Sequence, residues 1–247
     1  MLFFMICLPS ITLAGTLSFI GEARWVTVAK VYDGDTFKTR NGEKIRLLGL
    51  NTPETRHRDE PGQVGGKKAK EALSKLILGK QVRLRFDKEK NDRYKRTLAQ
   101  VWMRDGLWVN GWLLKKGYAH VYTFEPNVRW TKKLLKEERI ARTQKLGIWN
   151  TSRFKLLNAK RISGKNIGQF RVVQGKLTKV TGATGWRFKL GKLYVSIPKA
   201  YRKRFRKPPQ LKKSQDIIVR GKIRISSKDR FFLTLYSPAD LELMNGY

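Results

Sequence analysis

The run Trp25-Val26-Thr27-Val28-Ala29-Lys30-Val31-Tyr32-Asp33-Gly34-Asp35-Thr36-Phe37-Lys38-Thr39-Arg40-Asn41-Gly42-Glu43-Lys44-Ile45-Arg46-Leu47-Leu48-Gly49-Leu50 decides the fold. Trp25, Val26, Val28 and Val31 mark an apolar strand over residues 25–32, ended by the Asp33-Gly34 turn pair. Residues 36–40 read as the return strand. Asn41-Gly42, a strong two-residue hairpin signal, leads into a third strand over residues 44–50. The stretch is therefore an antiparallel meander.

Working outward, Ala69, Leu73, Leu76 and Ile77 recur at helical spacing after Gly65, with Lys67, Lys68, Lys70 and Glu71 on the other face, until Gly79. Residues 82–86 and 98–103 read as strands around a charged loop at 87–96. Residues 109–116 read as a short helix ended by Gly117, and 131–145 as a basic helix with Leu134, Leu135, Ile140 and Ala141 inward. The expectation for residues 23–150 is a five-stranded antiparallel unit with three helices. Residues 151–168, rich in Ser, Asn and Lys, read as a linker. Residues 169–247 hold strand candidates at 170–180, 186–190, 193–197, 217–225 and 231–236, with a basic helix over 198–206. Their element count suggests a second small β-barrel of the oligonucleotide-binding (OB) type. In Ile217-Ile218-Val219-Arg220-Gly221-Lys222-Ile223-Arg224-Ile225, alternation turns Val219, Ile223 and Ile225 to the core and Arg220, Lys222 and Arg224 to a cationic face. The expected fold class is mostly β with α, as two barrels in tandem.

Charge narrows the partners. The 247 residues carry 54 Lys and Arg against 19 Asp and Glu, a net charge of +35, yet 40% hydrophobic content with seven Trp and twelve Phe excludes a disordered basic tail. Residues 1–150 hold 30 basic and 15 acidic side chains, residues 151–247 hold 24 and 4. Such a field attracts polyanions: DNA, RNA or an anionic membrane. No long amphipathic helix of Lys and aromatic residues supports the membrane reading. Tyr201-Arg202-Lys203-Arg204-Phe205-Arg206-Lys207 interleaves rings with cations, a pattern suited to backbone tracking with base stacking or to a solvated helix face.

Residues 1–20 are uncharged, contain Leu2-Phe3-Phe4-Met5-Ile6-Cys7-Leu8 and end in small residues around Thr12-Leu13-Ala14-Gly15. That is the pattern of a signal peptide over residues 1–22, lacking the usual Lys or Arg before the apolar run; an uncleaved anchor is the alternative. A secreted or periplasmic location is expected. Cys7 is the only cysteine, and His57 and His120 stand at no metal-binding spacing, so a zinc site is not expected.

The chemistry is carried by Asp33-Gly34-Asp35-Thr36, Arg46, Asn51-Thr52-Pro53-Glu54 and Arg96. Each piece alone is ordinary turn chemistry. Together, Asp35, Asn51 and the Thr52 carbonyl supply hard oxygen donors for a divalent cation, and calcium suits a wet, flexible site. Glu54 is placed to deprotonate a water, and Arg46 and Arg96 to grip a phosphate with bidentate forks that lysine does not reproduce.

In order and spacing, Val31-Tyr32-Asp33-Gly34-Asp35-Thr36, Ile45-Arg46-Leu47-Leu48-Gly49-Leu50-Asn51-Thr52-Pro53-Glu54-Thr55, Asp92-Arg93-Tyr94-Lys95-Arg96-Thr97-Leu98-Ala99 and Leu146-Gly147-Ile148-Trp149 resemble the staphylococcal nuclease family. The resemblance covers residues 25–150, about half the chain. It implies a calcium-dependent endo- and exonuclease on a five-stranded OB barrel, cutting single-stranded DNA and RNA to 3′-phosphates. Duplex DNA is a further candidate substrate, no protein partner is implied, and a monomer is expected. It puts the metal carboxylate on Asp35, the base on Glu54 and the phosphate-binding arginines on Arg46 and Arg96. Three departures stand out. Asn51 occupies the place of a second metal-binding aspartate, which implies weaker metal affinity. Lys95 and Thr97 replace glycines beside the arginine, stiffening that loop. The pocket tyrosines have no clean match, leaving Tyr122, or its neighbour Phe124, as the base-stacking candidate beside Arg93. Arg202, Arg204, Arg220, Lys222 and Arg224 are the nucleic-acid-binding candidates of the second unit. A nuclease fold retained only for binding is the alternative; Asp35, Arg46, Glu54 and Arg96 all being present argues against it.

Overall fold

The computed structural model describes residues 23–55, 61–181, 185–212 and 214–244; the expected leader or anchor and His57 lie outside them. In the first unit the order is β1 (Ala23–Asp33), β2 (Thr36–Thr39), β3 (Lys44–Leu47), β4 (Leu50–Asn51), α1 (Gly66–Ile77), β5 (Gln81–Arg85), β6 (Thr97–Trp102), α2 (Val109–Lys115), β7 (His120–Val121) and α3 (Thr131–Thr143). Five strands close a barrel in the order β1-β2-β3-β6-β5. The antiparallel expectation fails at one seam, where β3 and β6 run parallel with Ile45 opposite Thr97 and Leu47 opposite Ala99. The reason is topological, because an odd number of strands cannot alternate direction all the way round a ring.

Phe37, Ile45, Leu47, Leu84 and Val101 fill the barrel, with Leu73 and Ile77 of α1 packed among them. The turn after β2 differs from the expected two-residue hairpin. Thr39 N–H donates to the Glu43 carbonyl at 2.9 Å and Gly42 N–H to the Thr39 carbonyl at 3.0 Å, so Arg40-Asn41-Gly42 is a three-residue loop. Only its last residue is left-handed, Gly42 at φ +86, which is the bulged form of the turn. The third strand also stops early, at Leu47. Gly49 turns with φ +86, and a Cβ there would come within 2.5 Å of Leu134 Cδ1. Leu50 and Asn51 leave the barrel and pair with Val121 and His120. The buried amides of Gln100 and Asn110 hold this turn, donating to the Leu48 carbonyl at 2.8 and 3.0 Å.

The second unit comprises β8 (Leu157–Asn158), β9 (Phe170–Val180), β10 (Arg187–Leu190), β11 (Leu193–Ser196), α4 (Arg202–Phe205), β12 (Asp216–Lys222), β13 (Arg224–Ile225), β14 (Phe231–Thr234) and β15 (Leu241–Leu243). Its eight strands form one sheet in the order β13-β14-β11-β10-β9-β12-β15, with β8 against β9. The path does not close, so this unit is a curled half-barrel around Phe188, Leu190, Val195, Val219 and Leu233. The stretch expected to be a linker is packed structure: β8 pairs with β9, and Ala159 and Ile162 are buried in this core. Its polar composition masked a few apolar anchors. The strand expected over 217–225 breaks at Ile223 into β12 and β13, and the predicted alternation fails there. Arg220 is 3% exposed, whereas Ile225 is 44% exposed. A third apolar cluster, with Ala141, Ile148 and Trp149 on one side and Phe154, Val172 and Ile218 on the other, joins the units.

Candidate active site

Asp35 follows the β1–β2 turn, and its place is fixed by the absence of a side chain next to it. A Cβ on Gly34 would lie 2.6 Å from Ala69 Cβ and 2.8 Å from Thr52 Cγ2, so the turn presses directly on α1 and on the Thr52 segment. Asp35 Oδ2 then accepts the Thr52 N–H at 3.0 Å, and Oδ1 accepts the Thr36 hydroxyl at 3.1 Å. Arg46, from β3, contacts Asp35 Oδ2 at 2.8 Å through one terminal nitrogen and donates to Asn51 Oδ1 at 2.8 Å through the other. Asn51 Nδ2 donates to the Thr52 carbonyl at 3.0 Å. Two of the three expected oxygen donors, Asp35 and Asn51, thus meet one guanidinium, and the third, the Thr52 carbonyl, is tied to Asn51. Burial, reinforced by the adjacent Asp35 carboxylate, pushes the Asp33 carboxyl up to about 7.

Carboxylate, amide and backbone carbonyl are all hard oxygens, a donor set that fits calcium better than a softer metal. Among the described residues no group of three His, Cys, Asp or Glu gathers at metal-binding distance. Glu54 stands exposed two residues beyond Thr52. Its carbonyl accepts the Gln63 N–H at 2.9 Å, and the bare Cα of Gly66 packs against that same carbonyl, which fixes the segment at the start of α1.

Arg96 is positioned by Asp92, four residues earlier. Asp92 Oδ2 takes the Arg96 Nε–H at 2.8 Å and contacts a terminal nitrogen at 2.7 Å, while Oδ1 accepts the Tyr94 and Arg96 backbone N–H groups. Although burial opposes it, this set of donors holds the Asp92 carboxyl below its usual range. Lys95 completes the loop at φ 61, the left-handed conformation that glycine would take without strain. Thr97 donates its hydroxyl to Glu43 at 2.6 Å and ties the loop to the β2–β3 turn.

Arg46 and Arg96 open onto one cleft of about 500 Å³, whose wall also includes Arg93, Tyr94, Tyr122 and Phe124. Arg46, Arg96, Arg93 and Tyr122 therefore line one cleft. Tyr94 is the residue that sequence reasoning passed over. It is 63% exposed, with Arg93 over its ring at 4.7 Å and Arg96 at 5.4 Å. The signal lay in its place between the two arginines of a quoted motif, which was read only for its charges.

The second unit's candidates lie elsewhere. Arg202 covers Trp186 at 5.1 Å, and Arg204 lies over Tyr201 at 4.9 Å and donates to the Tyr236 carbonyl. Lys222 and Arg224 are exposed. Arg220 corrects its expectation outright, because it is forked to Glu138 at 2.9 and 3.0 Å and donates to Glu242 at 2.7 Å. Arg142 joins this group through Glu242 at 2.6 and 2.9 Å. Glu138 also accepts the Val121 N–H, so the network fastens α3, β7, β12 and β15 together. Glu138 and Arg142, which the sequence reading left out of the inward set of α3, are both buried, and so is His120. His120 stacks on Phe170 at 4.9 Å, and burial pushes its ring down to about 4.

Comparison with known proteins adds an independent line. The family model described as Staphylococcal nuclease homologue matches residues 44–151. The chain is 37% identical over 125 residues to a thermonuclease of Staphylococcus intermedius, covering 49% of this chain and 74% of that protein. A thermonuclease of Staphylococcus hyicus is 34% identical over 126 residues, 50% of this chain and 74% of its own length. Endonuclease YncB of Bacillus subtilis (strain 168) is 38% identical over 132 residues, 51% of this chain and 62% of its length.

Proposed function

The chain belongs to the staphylococcal nuclease family, and on that premise we propose that it is an exported, calcium-dependent nuclease that hydrolyses single-stranded DNA and RNA to 3′-phosphate and 5′-hydroxyl ends. The observation that carries the reading is Arg46, which bridges Asp35 and Asn51 while lining the same cleft as Arg96. Calcium, held by Asp35, Asn51 and the Thr52 carbonyl, would supply positive charge to a phosphoryl oxygen and orient the attacking water. Glu54 takes the proton from that water as its oxygen bonds to phosphorus. The P–O5′ bond breaks, and the leaving oxygen is protonated by solvent. Arg46 and Arg96 hold the phosphate as charge builds on its equatorial oxygens, a contribution commonly worth about 3 kcal/mol for each donor removed. Tyr94 and Tyr122 offer ring faces to the adjoining bases. Export is supported by the uncharged apolar run over residues 1–20, and fractionation of cells making the full chain tests it.

The central experiment compares wild type with Glu54→Gln on single-stranded DNA and RNA, with calcium and with chelator. The expected outcome is a loss of about 10³-fold in kcat, with substrate binding retained. Equal rates for the two proteins would remove Glu54 as the base. Binding without cleavage by wild type would favour a nuclease fold kept for binding alone.

A further inference from the structure

A second cavity, of about 220 Å³, lies where the two units meet, and its wall includes Tyr122, Phe124, Phe170, Lys222, Arg224 and Tyr236. Tyr122 and Phe124 line this cavity and the active-site cleft alike, so the two adjoin one pair of rings. Those rings meet edge to face at 4.5 Å, and Tyr122 meets Phe170 of β9 edge to face at 5.5 Å. Lys222 is the register partner of Phe170 across β9 and β12. Arg224 lies beside Tyr236, donating to its hydroxyl at 3.3 Å.

Charge separates the wall into two parts. Arg220 lies at the base of the cavity, but Glu138 and Glu242 take up its guanidinium. Asp240 is a carboxylate in this wall, and its Oδ2 faces the Tyr236 and Ser237 N–H groups at 2.8 and 2.9 Å. The cations left at the mouth are Lys222 and Arg224, both exposed. Rings inside and cations at the rim match an unpaired base with its phosphate; a duplex would present no free base face. We propose that this groove is a subsite for a nucleotide flanking the scissile linkage of a single strand, the base packing on Phe170, Tyr122 or Tyr236 and the phosphate meeting Lys222 and Arg224. The inference rests on the nuclease reading for the direction of the strand, which arrives through the cleft past Tyr122. It gives the second unit a defined role: it extends the substrate site of the first.

The test uses the full chain carrying Glu54→Gln with calcium, and fluorescence anisotropy of a labelled single-stranded trinucleotide and dodecanucleotide. The longer strand should bind at least about tenfold more tightly, and the added pair Lys222→Ala and Arg224→Ala should shrink that advantage to about threefold or less. Substituting 5-iodouracil at successive positions and irradiating should link a base outside the scissile linkage to a peptide containing Phe170 or Tyr236. Equal weakening of both lengths would overturn the subsite, as would cross-links confined to the Tyr94 region. A duplex that gains the same advantage from Lys222 and Arg224 would also overturn it, reducing the groove to a generic charged surface. Failure of the nuclease reading looks different: wild type cuts neither strand, while the length advantage and the groove cross-link persist and support the subsite alone.

Discussion

At Asn51 an amide does two things that a carboxylate would not. It brings no charge to the proposed metal donors, and its Nδ2–H occupies the Thr52 carbonyl, itself one of those proposed donors. Asn51→Asp removes that hydrogen bond and adds a negative charge, so calcium affinity should rise about tenfold, read by titration calorimetry. An unchanged or weaker Kd would mean that the cation is held without this side chain. Lys95 offers a second test at the same scale. Its φ of 61 is strained for a residue with a Cβ, and Lys95→Gly should stabilise the fold by up to about 1 kcal/mol in urea unfolding, even after glycine's larger unfolded-state entropy is counted. No gain would show that the Asp92 clamp already absorbs the strain. The candidate site was legible as a pattern because Asp35, Arg46, Glu54 and Arg96 are residue types that the proposed chemistry cannot exchange, and the structure joins Asp35 to Arg46 and puts Arg46 in one cleft with Arg96. Tyr94 was less legible, since a ring in a charged loop carries no spacing signal of its own.

At the level of elements, the strands of the barrel were readable from alternation and turn pairs, and the misread charged faces share one cause. Periodicity identifies which residues are apolar, but a buried ion pair defeats it. Glu138 and Arg142 looked like the polar face of α3, and Arg220 like the polar face of β12, because their partners are far away in sequence. Glu138 has no exposed surface, and the two faces are one interface. The parallel β3–β6 seam was hidden for a related reason, since closure is a property of five strands together and not of any pair. Removing one partner of a buried network leaves the others uncompensated, so Arg220→Met should cost about 3–5 kcal/mol by urea unfolding. A cost below about 1 kcal/mol would mean that Arg142 alone can neutralise Glu138 and Glu242. The same variant should also disturb β7, because Glu138 holds the Val121 N–H beside Tyr122.

Across the whole molecule, four carboxylates serve the 24 basic residues of the second half, and Glu242 is the one committed to three arginines. Burial would raise its carboxyl, but Arg142 and Arg220 bring it down from 4.5 to about 2. A carboxylate with a folded-state value below its unfolded one contributes stability that is complete above about 4.5 and is lost as pH falls toward 2. Asp92 and Glu43, both held low despite some burial, act in the same direction. His120 and Asp33 cover the window above that and oppose each other. His120, lowered to about 4, loses stability as pH falls from 6.5, whereas Asp33, raised to about 7, gains it as pH falls toward 3.8. Stability should therefore change little between pH 7 and 5 and fall steeply below 4.5, with Glu242 responsible for on the order of 3 kcal/mol. Urea unfolding at pH 7 and pH 3 checks this, with Glu242→Gln as the comparison. The variant should start less stable at pH 7, because two buried arginines lose one of their two charge partners and keep only Glu138, and should lose less than wild type on acidification. An equally steep acid loss in the variant would move the sensitivity away from the junction of the two units and onto the carboxylates of the barrel.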